Sequence, residues 1–227
     1  MSAQSHVHQY ALDGEDRLVT IDEAVARLVA TGETGRLYCP GCNRGVTASV
    51  DGLARFVHSG RNCQEEFYLR QLARYRLKER FDSGKPFVIG TVQHVLCREY
   101  RSCRFYADGS CRGTDTREYD LQKVYDRCEF HLEPSPVADL ILEDSKGKRP
   151  PMYLYFRTNI LDGVKWPPDI LVIDMPLRNE AEIEAYVRGP ILEPEMNGSR
   201  HYEVFPRFWG PFKRRGGLSS VPLCEKA

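Results

Sequence analysis

Apolar positions in the first third of the chain come in short runs broken by turn residues, and the pattern changes near residue 64. The segment YALDGEDRLVTIDEA, from Tyr10, reads as a short strand, an Asp-Gly turn and a second short strand. Asp22 is placed to cap a helix with Ala24, Val25, Leu28 and Val29 at helical spacing, and Gly32 and Gly35 end it. Residues 1–9 read as a frayed tail carrying solvated His6 and His8. Residues 36–63 read as short strands and turns. From Gln64 to Arg80 the periodicity becomes helical, with Phe67, Leu69, Leu72, Tyr75 and Leu77 on or near one face, until Gly84 and Pro86.

The second half alternates strands with polar connections. Residues 87–96 predict a strand, and residues 137–158 a hairpin in which SKGKRPP joins VADLILED to MYLYFRT. ILVIDM at 170–175 predicts another strand, 178–187 a short helix, and 190–227 mostly irregular chain with one strand at 201–205. There is no internal repeat and no low-complexity segment. The implied class is α/β or α+β, a small mixed sheet flanked by helices. Three segments are expected: a strand, helix and zinc-knuckle module at 10–63, a larger domain at 64–210 with a cysteine-rich insertion at 97–128, and a tail at 211–227.

A chain of 227 residues with 41% hydrophobic residues suits one domain with insertions, or one domain plus a small module. No run of 18 apolar residues exists, which excludes a membrane-spanning helix. The N-terminal residues lack the apolar core of a secretory signal, so a cytoplasmic protein is expected. The 32 basic and 32 acidic residues cancel, which excludes a uniformly basic nucleic-acid coat but not a local basic groove. Eight cysteines without an export signal are expected to be reduced, and clustered reduced thiols are more often metal ligands than disulfides.

Two clusters stand out. Cys39-Pro-Gly-Cys42 is a CxxC turn, His58 lies sixteen residues beyond Cys42, and Cys63 five beyond that. Two thiolates on a tight turn supply half of a zinc tetrahedron, and the His–Cys pair supplies the other half. Such an ion holds together a segment too small for its own core. The competing readings are a redox CxxC, which lacks its βαβ context here, and unrelated buried thiols. His58, following Phe56 and Val57, also reads as a core histidine, but its spacing favours a ligand. Cys97, Cys103, Cys111 and Cys128 form a looser set that either closes an all-cysteine zinc site or includes buried thiols acting as small hydrophobes. Cys224 stands alone.

The 65–80 helix carries Arg70 and Arg74 on one face and Arg76 and Arg80 on another, with Lys78 between. Lys213, Arg214 and Arg215 sit beside Trp209 and Phe212. Cations interleaved with aromatics can hold phosphates and stack bases. The alternative is a solvated helix face balanced by Glu65, Glu66 and Glu79.

The 137–158 hairpin has half of a metal-dependent nuclease pattern. Such sites hold Mg²⁺ or Mn²⁺ between an Asp at the start of a hairpin and a carboxylate on the partner strand, followed by a Lys or Gln. Asp139 matches the first, while the second place reads Tyr155-Phe156-Arg157. In YALDGEDRLVTIDEA, YCPGCNRGV, ARFVH, EEFYLRQLARYRL, CREYRSCRFYADGSC, VADLILED and HYEVFPRFWGPFK, taken in order, the chain resembles the bacterial competence protein CoiA-like family over most of residues 10–213.

That resemblance implies a PD-(D/E)xK nuclease-like, restriction-endonuclease-like fold, a zinc-bound N-terminal module and DNA as partner. By position it implies that Glu65 is the helix glutamate, Asp139 the metal-binding aspartate and Arg157 the Lys/Gln position. Tyr155 replaces the second carboxylate, Leu69 the helix histidine and Ala73 the helix lysine; Lys165 and ILVIDM resemble a following lysine and acidic strand. One carboxylate anchors Mg²⁺ poorly, so activity needs Asp174, Glu65 or Glu133 to reach the same place. Asp139 reads alternatively as the partner of Arg157 in an ordinary cross-strand ion pair. Three functions stay open: a nucleic-acid-associated protein with a degraded nuclease site, an active Mg²⁺-dependent nuclease, and a zinc-stabilised scaffold for a protein partner.

Overall fold

The structure is a computed structural model that describes residues 8–58, 63–94, 96–97, 107, 114–132, 138–158, 166–167, 169–192, 206–209 and 218–219. It is a mixed α+β fold with two compact units. No helix among the described residues is long and apolar enough to cross a membrane.

The first unit comprises residues 1–79 with 157–159 and 177–187. It thus carries the long helix as far as Glu79, beyond the boundary at 63 drawn from the sequence. Its sheet is built from β1 (Tyr10–Leu12), β2 (Leu18–Thr20), β3 (Leu37–Tyr38), β4 (Gly45–Ser49) and β5 (Arg55–His58). The order is β2-β1-β3-β4-β5, and every neighbouring pair is antiparallel. Such short strands need only brief turns, and the polar connections provide them.

The β1–β2 turn holds the expected Asp13-Gly14 pair but is longer than a two-residue turn. It runs from Asp13 to Arg17, and Asp16 rather than Gly14 adopts the left-handed backbone, at φ 58°. The Asp13 carboxylate accepts the backbone N–H groups of Glu15 and Arg17 and pairs with the Arg17 guanidinium. That side chain supplies the closure a two-residue turn would have supplied.

Helix α1 (Ile21–Thr31) is capped by Thr20, not by Asp22. The Thr20 hydroxyl accepts the Glu23 N–H, and the Glu23 carboxylate accepts the Thr20 N–H. A cap must hold extended backbone at its own position, and Asp22 lies inside the first turn. Ile21 and Ala24 face inward, while Val29 is exposed.

Helix α2 (Glu65–Asp82) buries Tyr68, Leu69, Leu72, Ala73, Leu77 and Phe81. These positions repeat every three or four residues, so one stripe faces the core. The stripe is turned from the expected one: Phe67 is exposed and Tyr75 half-buried. Helix α3 (Glu180–Arg188) supplies two acids to the first unit. Glu184 accepts the Tyr10 hydroxyl and a two-pronged contact from Arg76. Glu180 accepts the Tyr68 hydroxyl and the Gln9 N–H.

The second unit has a five-stranded sheet ordered β14-β12-β11-β10-β9. Its strands are β9 (Arg127–Phe130), β10 (Leu140–Glu143), β11 (Met152–Arg157), β12 (Leu171–Pro176) and β14 (Arg207–Trp209). The expected hairpin is β10 with β11, in the register Leu140 to Leu154. Buried Leu140, Leu142, Leu154, Phe156, Val172 and Ile173 form its core. A second sheet joins β6 (Val88–His94) to β8 (Thr114–Asp120) antiparallel and to β13 (Ile191–Leu192) parallel. The β8 segment, TDTREYD, is polar in sequence. Cross-strand pairing with β6 over seven positions outweighs its weak apolar pattern. Strand β7 (Leu96–Cys97) pairs with β15 (Leu218–Ser219). The strand expected at 201–205 lies outside the described residues.

Candidate metal centre

The CxxC turn leaves β3 at Tyr38 and enters β4 at Gly45. It closes on itself: the Cys39 N–H donates to the Arg44 carbonyl, and the Asn43 N–H to the Cys39 carbonyl, each at 2.8 Å. Asn43 takes the left-handed backbone that this reversal requires, at φ 55°. The backbone N–H groups of Gly41 and Cys42 point at the Cys39 sulfur.

Gly41 is a site where only glycine fits. A Cβ there would lie 2.6 Å from the Tyr68 nitrogen, 2.7 Å from its Cα and 2.9 Å from the Cys63 sulfur. The turn is therefore pressed onto the first turn of α2, with Cys63 beside it. This close approach brings the third thiol to the first two.

Antiparallel pairing of β4 with β5 sets Val46 opposite His58. That register carries His58 back to the turn, where its Nε2 lies 3.5 Å from the Cys42 sulfur. The donor atoms of Cys39, Cys42 and Cys63 all lie within 4.8 Å of one another, and this set could hold a metal ion. A second set, sharing Cys39, meets the same limit: His8, Cys39 and His58.

His8 corrects the reading of a frayed, solvated tail. It is only 7% exposed. Its carbonyl accepts the Phe56 N–H at 2.8 Å, which adds residue 8 to the edge of β5. Its ring stacks on Tyr68 with centroids 3.7 Å apart and meets His58 edge-on at 5.4 Å. Nothing in the local sequence marks His8, because its burial depends on strand β5 and helix α2.

The electrostatics describe a site short of positive charge. Burial, then the neighbouring thiols Cys39 and Cys42, pushes the Cys63 thiol up to about 12. Burial likewise raises Cys39, against the pull of the two N–H groups on its sulfur. Burial, then Arg44, lowers His58, which favours the neutral imidazole, the form that ligates a metal. A cation among the thiols would reverse the first two effects and release protons.

The other expected site residues are dispersed. Glu65 lines a cleft of about 260 Å³ with His8, Tyr68, Leu69, Asn179 and Glu180. Burial raises the Glu180 carboxyl, against the hydrogen bonds from Tyr68 and Gln9. Asp139 is buried immediately before β10, and its Oδ2 accepts the Phe156 N–H at 2.8 Å. Asp174 is buried in the middle of β12 and Arg157 at the end of β11. Tyr155 is buried edge-on to Trp166. Cys128 is buried in β9 opposite Leu142. Among the described residues, neither donor set that could hold an ion contains Glu65, Asp139, Asp174 or Cys128.

Arg70 and Arg74 are half-buried, and Arg74 donates to the Gln71 side chain. Arg76 and Arg80 do not form a solvated face. Arg76 is bound to Glu184 and Glu79, and buried Arg80 donates to the carbonyls of Pro86 and Gly189. Long cationic side chains can cover apolar surface this way while their heads find acceptors. Cys103, Cys111, Glu133, Lys165, Lys213, Arg214, Arg215 and Cys224 lie outside the described residues, as does the side chain of Cys97.

No family model, curated protein or solved structure matches the chain.

Proposed function

We propose that the chain is a nucleic-acid-associated protein of the CoiA-like type, with a zinc-stapled N-terminal module and a nuclease-like domain whose catalytic site is degraded. The observation that carries the zinc part is the convergence of Cys39, Cys42 and Cys63 with His58 on the Cys42 sulfur. Ideal tetrahedral zinc has a sulfur-to-nitrogen edge of about 3.6 Å. The Cys42 to His58 distance, 3.5 Å, fits that edge. Three thiols and an imidazole are the donors zinc prefers. When bound, the ion would fix the turn, the end of β5 and the start of α2 to one another.

The nuclease-like reading draws on the resemblance and on the β10–β11 hairpin. Asp139 stands at the start of that hairpin, as the family pattern requires. Tyr155 fills the second position with a buried phenol, which cannot anchor a divalent cation at neutral pH. A second reading, an active Mg²⁺- or Mn²⁺-dependent nuclease, draws on one observation. Asp139 and Asp174 are both buried, the first just before β10 and the second in β12, the strands on either side of β11.

The test is a pair of assays on the full chain. DNA retention should weaken steeply with salt, because phosphate contacts release counterions. Incubation of single- and double-stranded DNA and RNA with Mg²⁺ or Mn²⁺ should give no cleavage. Cleavage abolished by Asp139→Asn would replace the degraded-site reading with the enzyme. Salt-independent or absent retention would replace both with a protein-binding scaffold.

A further inference from the structure

The knuckle carries five donors in two three-membered sets that share Cys39, where a zinc ion takes four. Cys39, Cys42 and Cys63 form one close set, and His8, Cys39 and His58 form another around the same Cys39 sulfur. Both imidazoles therefore approach the sulfur that is common to the two sets. The rings stand nearly perpendicular, at 79°, so they meet edge to face and do not stack on one another. His8 is held by two independent contacts: its backbone bridge to Phe56 and its ring on Tyr68. These contacts already restrict the ring, so ligation by His8 would lose less conformational freedom than ligation from a loose tail.

From this geometry we infer that His8 is a second imidazole ligand of the knuckle ion, exchanging with His58 at the position the three thiolates leave open. The inference rests on the zinc reading above and adds a ligand that the cysteine and histidine spacing does not contain. Its consequence is structural. Whenever His8 holds the ion, the chain entering β1 is tied directly to the CxxC turn, and the metal links the first strand of the unit to its knuckle. A neutral imidazole on either residue completes the same charge and donor set, so the exchange leaves the ion's coordination number unchanged.

The test titrates the full chain with Zn²⁺ or Co²⁺ past two equivalents. His8→Phe keeps the aromatic stack on Tyr68 and removes the donor nitrogens. His58→Ala removes the other imidazole. Zinc affinity is read by competition with a chromophoric chelator, and the ligand set by the d–d bands of the Co²⁺ form.

The expected result is that each single variant still binds one ion, with affinity reduced about tenfold or less. The double variant should lose about a hundredfold or more, and its Co²⁺ bands should lose their nitrogen character. A double variant indistinguishable from His58→Ala would overturn the inference, since His8 would contribute nothing. Two ions per wild-type chain would overturn it as well, because His8 would then belong to a separate centre. No ion on the wild-type chain would remove the zinc reading and this inference together, before any variant is made. Circular dichroism of each variant separates loss of a ligand from loss of the fold. If His8→Phe unfolds, the ¹⁵N shifts of the His8 ring in the wild-type and His58→Ala chains decide the matter. They should move on zinc addition, more in the variant, and unchanged shifts in both would overturn the inference.

Discussion

At the knuckle, three thiols and two imidazoles from β5, the CxxC turn, the segment entering α2 and the chain before β1 form two close donor sets that share Cys39. In the sheet of the second unit, Asp139 and Asp174 are buried more deeply than Cys42, Cys63 and His58, yet neither belongs to a close donor set among the described residues. Asp139 instead accepts the backbone N–H of Phe156. The two regions answer the same physical demand, that a buried polar atom have a partner. The knuckle gathers its polar atoms around one point, whereas the sheet gives a carboxylate a backbone partner. Gathered donors suit a cation; a carboxylate on a backbone N–H braces a hairpin.

Metal removal should separate the two regions most. Under the zinc reading, a chelator or Cys42→Ser withdraws binding free energy on the order of 10 kcal/mol, comparable to the whole stability of an ordinary domain. Hydrogen exchange should then accelerate in β3, β4 and β5 while β9, β10 and β11 keep their protection. Uniform acceleration in both units, or none in either, would break the contrast.

Gly41→Ala should follow, destabilising the first unit by about 3 kcal/mol. The added Cβ meets the backbone of Tyr68 on one side and the Cys63 sulfur on another, and backbone inside a helix cannot move aside cheaply. Denaturant unfolding with zinc affinity measures both effects; a neutral result would show that the turn is not pressed onto α2.

On the other side of the comparison, Asp139→Leu should cost about 2 kcal/mol by leaving the Phe156 N–H buried without its acceptor. Asp139→Asn, which keeps an oxygen, should cost less. Equal losses in the two variants would mean that the negative charge matters beyond this hydrogen bond.

Asp13 gives the smallest effect, and one that depends on pH. Burial pushes its carboxyl up, but the N–H groups of Glu15 and Arg17 and the Arg17 guanidinium together hold it below the usual range. A carboxyl lowered in the folded state stabilises above its unfolded pKa, and that contribution is lost as pH falls through the lowered value. Asp13→Ala should therefore cost about 1 kcal/mol at neutral pH and almost nothing in strong acid, measured by urea unfolding at each pH. The same cost at both extremes would show that the charge plays no part.

Much of the molecule is readable along the chain. The CxxC turn, the following histidine and cysteine, the α2 periodicity, the β10–β11 hairpin and strand β12 all come from local spacing. Each depends on residues a few positions apart, where propensity and alternation act directly. One error is local, in the cap of α1, and the others appear where a partner distant in sequence decides. The cap of α1 moved only two residues, from Asp22 to Thr20, because a capping box requires Glu23 to reach back. The buried stripe of α2 turned, exposing Phe67 and burying Tyr68, because Tyr68 meets His8 on one face and the Glu180 carboxylate at its hydroxyl. Strand β8 formed from a polar segment because β6 offered seven pairing positions.

By itself the sequence determined which donors exist and which half of the knuckle they form, since Cys39 and Cys42 are joined by a turn two residues long. It also determined that Tyr155, not a carboxylate, follows Leu154 in the second strand of the hairpin. Only the tertiary structure decided that His8 packs beside Cys39 and His58, that Gly41 must be glycine, and that Arg76 and Arg80 serve packing. The reason is distance along the chain. A turn or a helical stripe is set by neighbours, but a buried histidine fifty residues from its partner is set by how strands and helices stack, and that stacking follows from the burial of the whole core.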